Sequence, residues 1–138
     1  MDLSKFDSVP AAEDGIDMVI LNPVTNVPLL DDDGETPISI RLSGMDSKRF
    51  RQASRTNVNN RLKGNRYKMP DAETMESEGL ELLVKCTLSW KGIVLDGQTL
   101  DCTPANVRKV YTRLPWVREQ VDTFMGDRQN FLPLCVKN

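Results

Sequence analysis

A small, mainly helical α+β domain, with an antiparallel β-hairpin or meander near its N-terminus and a short second hairpin, is what these 138 residues predict. Three observations carry that prediction. From Pro37 to Leu42 the apolar Ile38, Ile40 and Leu42 alternate with Ser39 and Arg41, the period of two that marks a half-buried strand. From Asp71 onward Ala72, Met75, Gly79, Leu82, Leu83 and Cys86 recur at helical spacing. Thr103-Pro104 and Pro115-Trp116 are two helix starts in close succession, each placing proline where a missing N–H costs nothing.

Taken in order, residues 1–15 are polar and aperiodic and read as a flexible N-terminal arm, followed by a single globular domain over 16–132 and a C-terminal tail over 133–138. Ile16 to Leu21 is apolar and β-branched, Asn22-Pro23 with Thr25-Asn26 is a turn, and Val27 to Leu30 returns as a second short strand. Asp31, Asp32, Asp33 and Gly34 then form a solvated turn into the Pro37–Leu42 strand. Asp46 is the expected N-cap of a thinly amphipathic basic helix through Phe50, Ala53, Val58 and Leu62, stopping at Gly64. Asn57, Asn59 and Asn60 weaken its second half, and Pro70 makes 64–70 a loop.

Asp71 caps the central core helix, where Glu73 and Glu76 favour its positive end and Glu81 can pair with Lys85 one turn on. Ile93, Val94 and Leu95 lead into a tight turn at Asp96-Gly97, with Gln98 to Leu100 as the return strand. Val107, Val110, Tyr111 and Leu114 mark the next helix. Val117, Val121 and Phe124 mark the last long one, closed by Gly126, before a final turn from Asp127 to Phe131. Trp90 and Trp116 are expected in the core.

The chain is poor in reacting groups. It has no histidine, so the commonest general base and metal ligand is missing, and no phosphate-cradling G-x-x-x-x-G-K-[ST] loop occurs. Asp31 to Asp33 with Glu35 lack the spacing of a calcium loop. Cys86, Cys102 and Cys135 match no zinc or redox motif and read as reduced thiols. The expectation is a protein that is not an enzyme and needs no cofactor or metal. No apolar run is long enough for a bilayer, and M-D-L-S-K-F-D-S lacks the plan of a signal peptide, so a cytoplasmic product is expected.

A net charge of −2 conceals strong segregation. Residues 1–36 hold nine acids against Lys5, 47–70 hold eight bases and no acid, and 71–101 hold seven acids against Lys85 and Lys91. Within the basic segment Lys48, Arg51 and Arg55 share one helical face.

Five segments in order, M-D-L-S-K-F-D from Met1, I-L-N-P-V-T-N-V-P-L from Ile20, I-R-L-S-G-M-D-S-K-R-F from Ile40, G-L-E-L-L-V-K-C-T-L-S-W-K-G-I-V-L-D-G from Gly79, and L-P-W-V-R-E-Q-V-D-T-F-M-G-D-R from Leu114, together carry a family likeness. The ordered set resembles the tail assembly chaperones of lambda-like bacteriophages with long noncontractile tails, over Met1 to Leu132. The resemblance implies a non-catalytic assembly factor of the host cytoplasm, absent from the mature virion. It implies that the chain coats and solubilises the tape measure protein and recruits major tail tube subunits, in such families often through a longer frameshifted product.

Opposite charge blocks favour self-association into an oligomer or spiral. On this reading Lys48, Arg51 and Arg55 of one copy meet Asp31, Asp32 and Asp33 of the next, while Trp90 and the Ile93, Val94, Leu95 ridge add apolar contact. Two other functions compete. The basic segment 48–68, with Tyr67 to stack on a base, fits a nucleic-acid-binding accessory protein, although the acidic flanks oppose it. A structural protein of the virion neck or tail is the third.

Overall fold

The computed structural model describes residues 1–65 and 71–133, without the side chains of 60–65. Its centre is a three-stranded antiparallel sheet of β1 (Ile16–Val19), β2 (Ser39–Leu42) and β3 (Thr87–Lys91), with β2 in the middle. Met18 lies opposite Ile40, and Ile40 opposite Trp90, so one face of the sheet gathers large apolar side chains. Three helices cover that face: α3 (Ala72–Cys86), α4 (Pro104–Arg113) and α5 (Pro115–Gly126). Ile40, Leu42, Cys86, Val110, Tyr111, Val117 and Val121 are all sealed in the resulting core. On the opposite face Arg41 reaches Asp17 at 3.3 Å and Asp14 at 3.4 Å.

This is the small α+β domain with an N-terminal hairpin that the sequence predicts, and the second hairpin also forms, as β4 (Val94–Leu95) and β5 (Gln98–Thr99). Asp96 and Gly97 between them adopt φ of 52° and 78°. Two consecutive positive φ values give the turn whose twist matches a tight hairpin, and glycine takes the second without strain. Asp71 and Thr103 cap α3 and α4 as expected, accepting from the Thr74 and Asn106 N–H groups. Asp127 caps the final 3-10 turn, Arg128–Phe131.

Other expectations need correction. The third strand of the sheet is β3, not 27–30. Residues 27–30 form isolated bridges rather than a ladder, Leu21 to Pro28 and Leu30 to Pro37, with the Leu29 N–H donating to the Ile20 carbonyl and the Ile38 N–H to the Leu29 carbonyl, each at 2.9 Å. A regular ladder fails there because Pro28 and Pro37 have no N–H to donate. Meanwhile α3 turns directly into β3: the Thr87 hydroxyl donates to the Leu83 carbonyl and its N–H to that of Val84, so no loop separates them.

The flexible arm is also absent from most of its expected span. Leu3–Phe6 is a 3-10 turn, and Val9–Asp14 is a helix, α1, with Ala12 fully buried. The Gly44 N–H donates to the Ala12 carbonyl at 3.1 Å, and the Ser8 hydroxyl donates to Asp46. Asp46 is therefore not the cap of α2 (Lys48–Asn65). Ser47 is, accepting from the Phe50 N–H at 3.1 Å while donating to the Gly44 carbonyl at 2.7 Å. α2 continues through Gly64 to Asn65. Gly126 is the last residue of α5 rather than a left-handed cap.

The loop expected at 64–70 lies outside the described residues from 66 on. So do Tyr67, Arg66, Lys68, Cys135, the tail beyond Pro133, and the side chains of Arg61, Leu62 and Lys63. Among the described residues no helix is long and apolar enough to cross a membrane.

Candidate interaction surfaces

α2 lies over α3 through Ser54, Asn57, Met75, Gly79 and Leu82, and turns its other side outward. Lys48, Arg51 and Arg55 stand exposed on that outer side. Among the described residues none of their charged groups forms an ion pair, although the Glu13 carboxylate accepts from the Lys48 backbone N–H at 2.6 Å and the Arg51 Nε donates to the Ser47 carbonyl at 3.4 Å. Arg49, on the neighbouring flank, donates to the Lys85 carbonyl at the end of α3. There the partial negative charge of the helix terminus favours a cation.

The aspartates of the 31–36 turn are spent differently. The Asp31 carboxylate accepts from the Asp32 N–H at 2.7 Å. Asp33 accepts from the Glu35 and Thr36 N–H groups, each at 2.8 Å, and from the Thr36 hydroxyl. Those bonds, Thr36 first, hold the Asp33 carboxyl below its ordinary value. Residues 32–36 of the turn are exposed and Asp31 is half-buried, and within one chain no ion pair links the turn to α2 among the described residues.

The Ile93 to Leu95 ridge divides. Ile93 belongs to the core, Leu95 is half-buried, and Val94 is half exposed. Val94 and Leu95 form one lip of an apolar groove of about 200 Å³ whose other walls are Ile20, Leu29, Ile38 and Trp116. Trp90 is not on it: the ring is partly buried against the core, and its indole N–H donates to the Leu100 carbonyl at 2.8 Å.

Trp116, like Trp90, is half-buried and packs against the core, as expected. It forms a shared wall between this groove and a second, of about 490 Å³, which runs between β1 and α5 past Val19, Leu21, Pro23 and Phe124. Gln120 fixes the floor there, its amide both donating to and accepting from the Leu21 backbone at 2.9 Å.

A third cleft, of about 540 Å³, opens between the N-terminal half of α3 and the start of α5 and is acidic. Glu73 and Glu76 line one wall, Glu119 and Asp122 the other. Arg118 is the one base in the lining, held to the Glu76 side by donating to its carbonyl at 2.9 Å. No block in the sequence announced this cleft, because half its carboxylates come from α5, outside the acidic stretches.

The remaining ion pairs are structural. Glu81 takes Arg108 as a two-pronged partner, at 2.5 and 2.9 Å, in place of Lys85. Arg113 grips Asp96 and so ties α4 to the second hairpin. Burial pushes the Cys86 thiol up to about 11, which removes it as a nucleophile near neutrality. Burial likewise raises Tyr111, whose hydroxyl shares a hydrogen bond with Thr87 at 2.7 Å. Among the described residues no three metal-ligating side chains cluster. The surfaces on offer are an apolar groove, a groove of mixed lining, an acidic cleft and a cationic helix. No protein-family model, curated protein or solved structure matches this one.

Proposed function

We propose that this chain is a phage tail assembly chaperone, a non-catalytic protein of the host cytoplasm that shields the apolar strips of the tape measure protein until tail tube subunits replace it. The observation that carries the reading is the pair of grooves sharing Trp116, one lined by apolar side chains and the other by apolar and polar ones, with Val94 half exposed and Val19 36% exposed at their margins. Val24, Val27 and Leu30 stand exposed on the adjoining 21–30 segment. An amphipathic helix lays its apolar side chains into grooves of this kind, and shallow grooves release it readily. Repetition of weak contacts along a long partner supplies the hold. The ordered likeness of the sequence to that family supplies the identity of the partner, and the tube protein would be met directly or through a longer form of the chain.

Co-expression of the tape measure protein with and without this chain tests the proposal. Soluble tape measure recovered in a high-mass complex, only when the chain is present, is the expected outcome. Replacing Val94 and Val19 with Asp should cut the recovered complex on the order of tenfold while leaving the thermal midpoint nearly unchanged. Insoluble tape measure in both cultures would overturn the reading. The unpaired cations of α2 favour one competitor, a nucleic-acid-binding accessory protein, which predicts salt-dependent retention on DNA. Recovery from purified virions would favour a structural neck or tail protein.

A further inference from the structure

We infer that the free edge of β1 takes a fourth strand from a partner chain, an extended segment with apolar side chains at alternate positions and a lysine or arginine near each end, laid between β1 and α5. β1 is an outer strand of its sheet, with β2 as its one neighbour. Antiparallel strands turn the backbone groups of alternate residues toward the neighbouring strand and those of the residues between them outward. The Ile20 N–H donates to the Ile38 carbonyl at 2.9 Å, and Met18 and Ile16 precede it at two-residue steps, opposite Ile40 and Leu42. Asp17, Val19 and Leu21 are therefore the outward set.

Leu21 shows what this edge accepts. Its N–H donates to the Gln120 carboxamide oxygen and its carbonyl accepts from the Gln120 carboxamide nitrogen, both at 2.9 Å. A carboxamide is the side-chain counterpart of a peptide group, so one position of the edge already carries the pairing that a further strand would continue. Among the described residues nothing outside the sheet bonds to the backbone of Asp17 or Val19. Native sheet edges are blunted by charge, proline or cover. Here the cover stops at Leu21, and the Asp17 carboxylate is turned to Arg41.

The groove beside that edge has the length and chemistry for a strand. From Trp116 to Asp127 α5 extends about 16 Å at about 1.5 Å per residue, room for about five extended residues at about 3.3 Å each. Val19, Leu21, Trp116 and Phe124 offer apolar contact, while Glu119 and Asp127 supply an acid toward either end. Neither acid forms an ion pair among the described residues. Main-chain bonds give such a partner its affinity and alternate side chains its specificity. A helix pairs its backbone groups internally and cannot use this edge. The inference therefore goes beyond the shielding of a helical partner and stands or falls separately from it.

A fluorescein-labelled peptide, Lys-Val-Thr-Val-Thr-Val-Lys, titrated into the full-length chain tests it by anisotropy and by amide hydrogen exchange. Binding should slow exchange of the Asp17 and Val19 amides on the order of tenfold and leave Met18, already bonded within the sheet, nearly unchanged. Methylating the backbone nitrogens of the peptide removes its donors and should abolish binding with the protein untouched. Val19→Pro deletes an outward donor at a place where an edge strand tolerates proline, and should weaken binding on the order of tenfold. Glu119→Lys should weaken it severalfold, less so in high salt. Circular dichroism melts check that both variants fold, and the methylated peptide decides the matter if Val19→Pro does not. A parent peptide that fails to bind at millimolar concentration, a methylated one that binds as well, or Asp17 and Val19 amides that exchange at the same rate with peptide bound would each overturn the inference. So would amides already protected in the free chain, the edge then being covered by residues 134–138 or by a second copy.

Discussion

Asp46 ties three distant parts of the chain together. Its carboxylate accepts from the Arg128 guanidinium at 2.7 and 2.9 Å and from the Ser8 hydroxyl. Those bonds, Arg128 first, hold the carboxyl below its ordinary 3.8. A carboxyl depressed in the folded state stabilises the protein above its unfolded value and loses that contribution as pH falls through the folded one. Asp46→Asn should therefore flatten the fall in stability below about pH 4 and, at neutral pH, cost about 1 kcal/mol. Denaturant titrations at several pH values read both effects. Ser47→Ala removes the cap from the Phe50 N–H, while the Gly44 carbonyl keeps the Ser47 N–H, and should cost about 1 to 2 kcal/mol by the same titration. Sequence alone presented Asp46 as the cap of α2 and a local Lys85 for Glu81. The partners that decide these cases, Arg128 and Arg108, lie 82 and 27 residues away, beyond the reach of spacing rules.

At the scale of elements, helices with their own start signals were legible. Asp71, Thr103 and Pro115 begin α3, α4 and α5, as local hydrogen bonding and proline geometry require. The elements that were missed depend on contacts made elsewhere. α1 is too short to stand alone and exists because Ala12 packs against Gly44 and the final 3-10 turn. A Cβ on Gly44 would meet the Ala12 Cβ at 2.8 Å and the Phe131 ring at 3.1 Å. Gly44→Ala should consequently cost about 1 to 3 kcal/mol and expose residues 1–15 to limited proteolysis, whereas wild type resists cleavage there. β3 was hidden for another reason: its apolar Leu88 and Trp90 follow a helix without a break, and its partner β2 is 45 residues earlier in the chain.

Across the whole molecule the core is a sandwich of one sheet face and three helices, with Ile40 at its centre. Ile40→Ala should remove about 3 kcal/mol, a large part of the 5 to 15 kcal/mol that typically separates folded from unfolded states. A drop in the urea midpoint checks it. The charge blocks were legible as composition, but their placement was not, since the acidic cleft takes its second wall from α5 and the aspartate run folds back on its own backbone. The chain also contains its own optical gauge. It has two tryptophans, one pinned to the Leu100 carbonyl and one, Trp116, lining both grooves. A guest lying in either groove displaces water from that indole and should shift its emission to shorter wavelength, so fluorescence can follow loading and release of a partner as they happen.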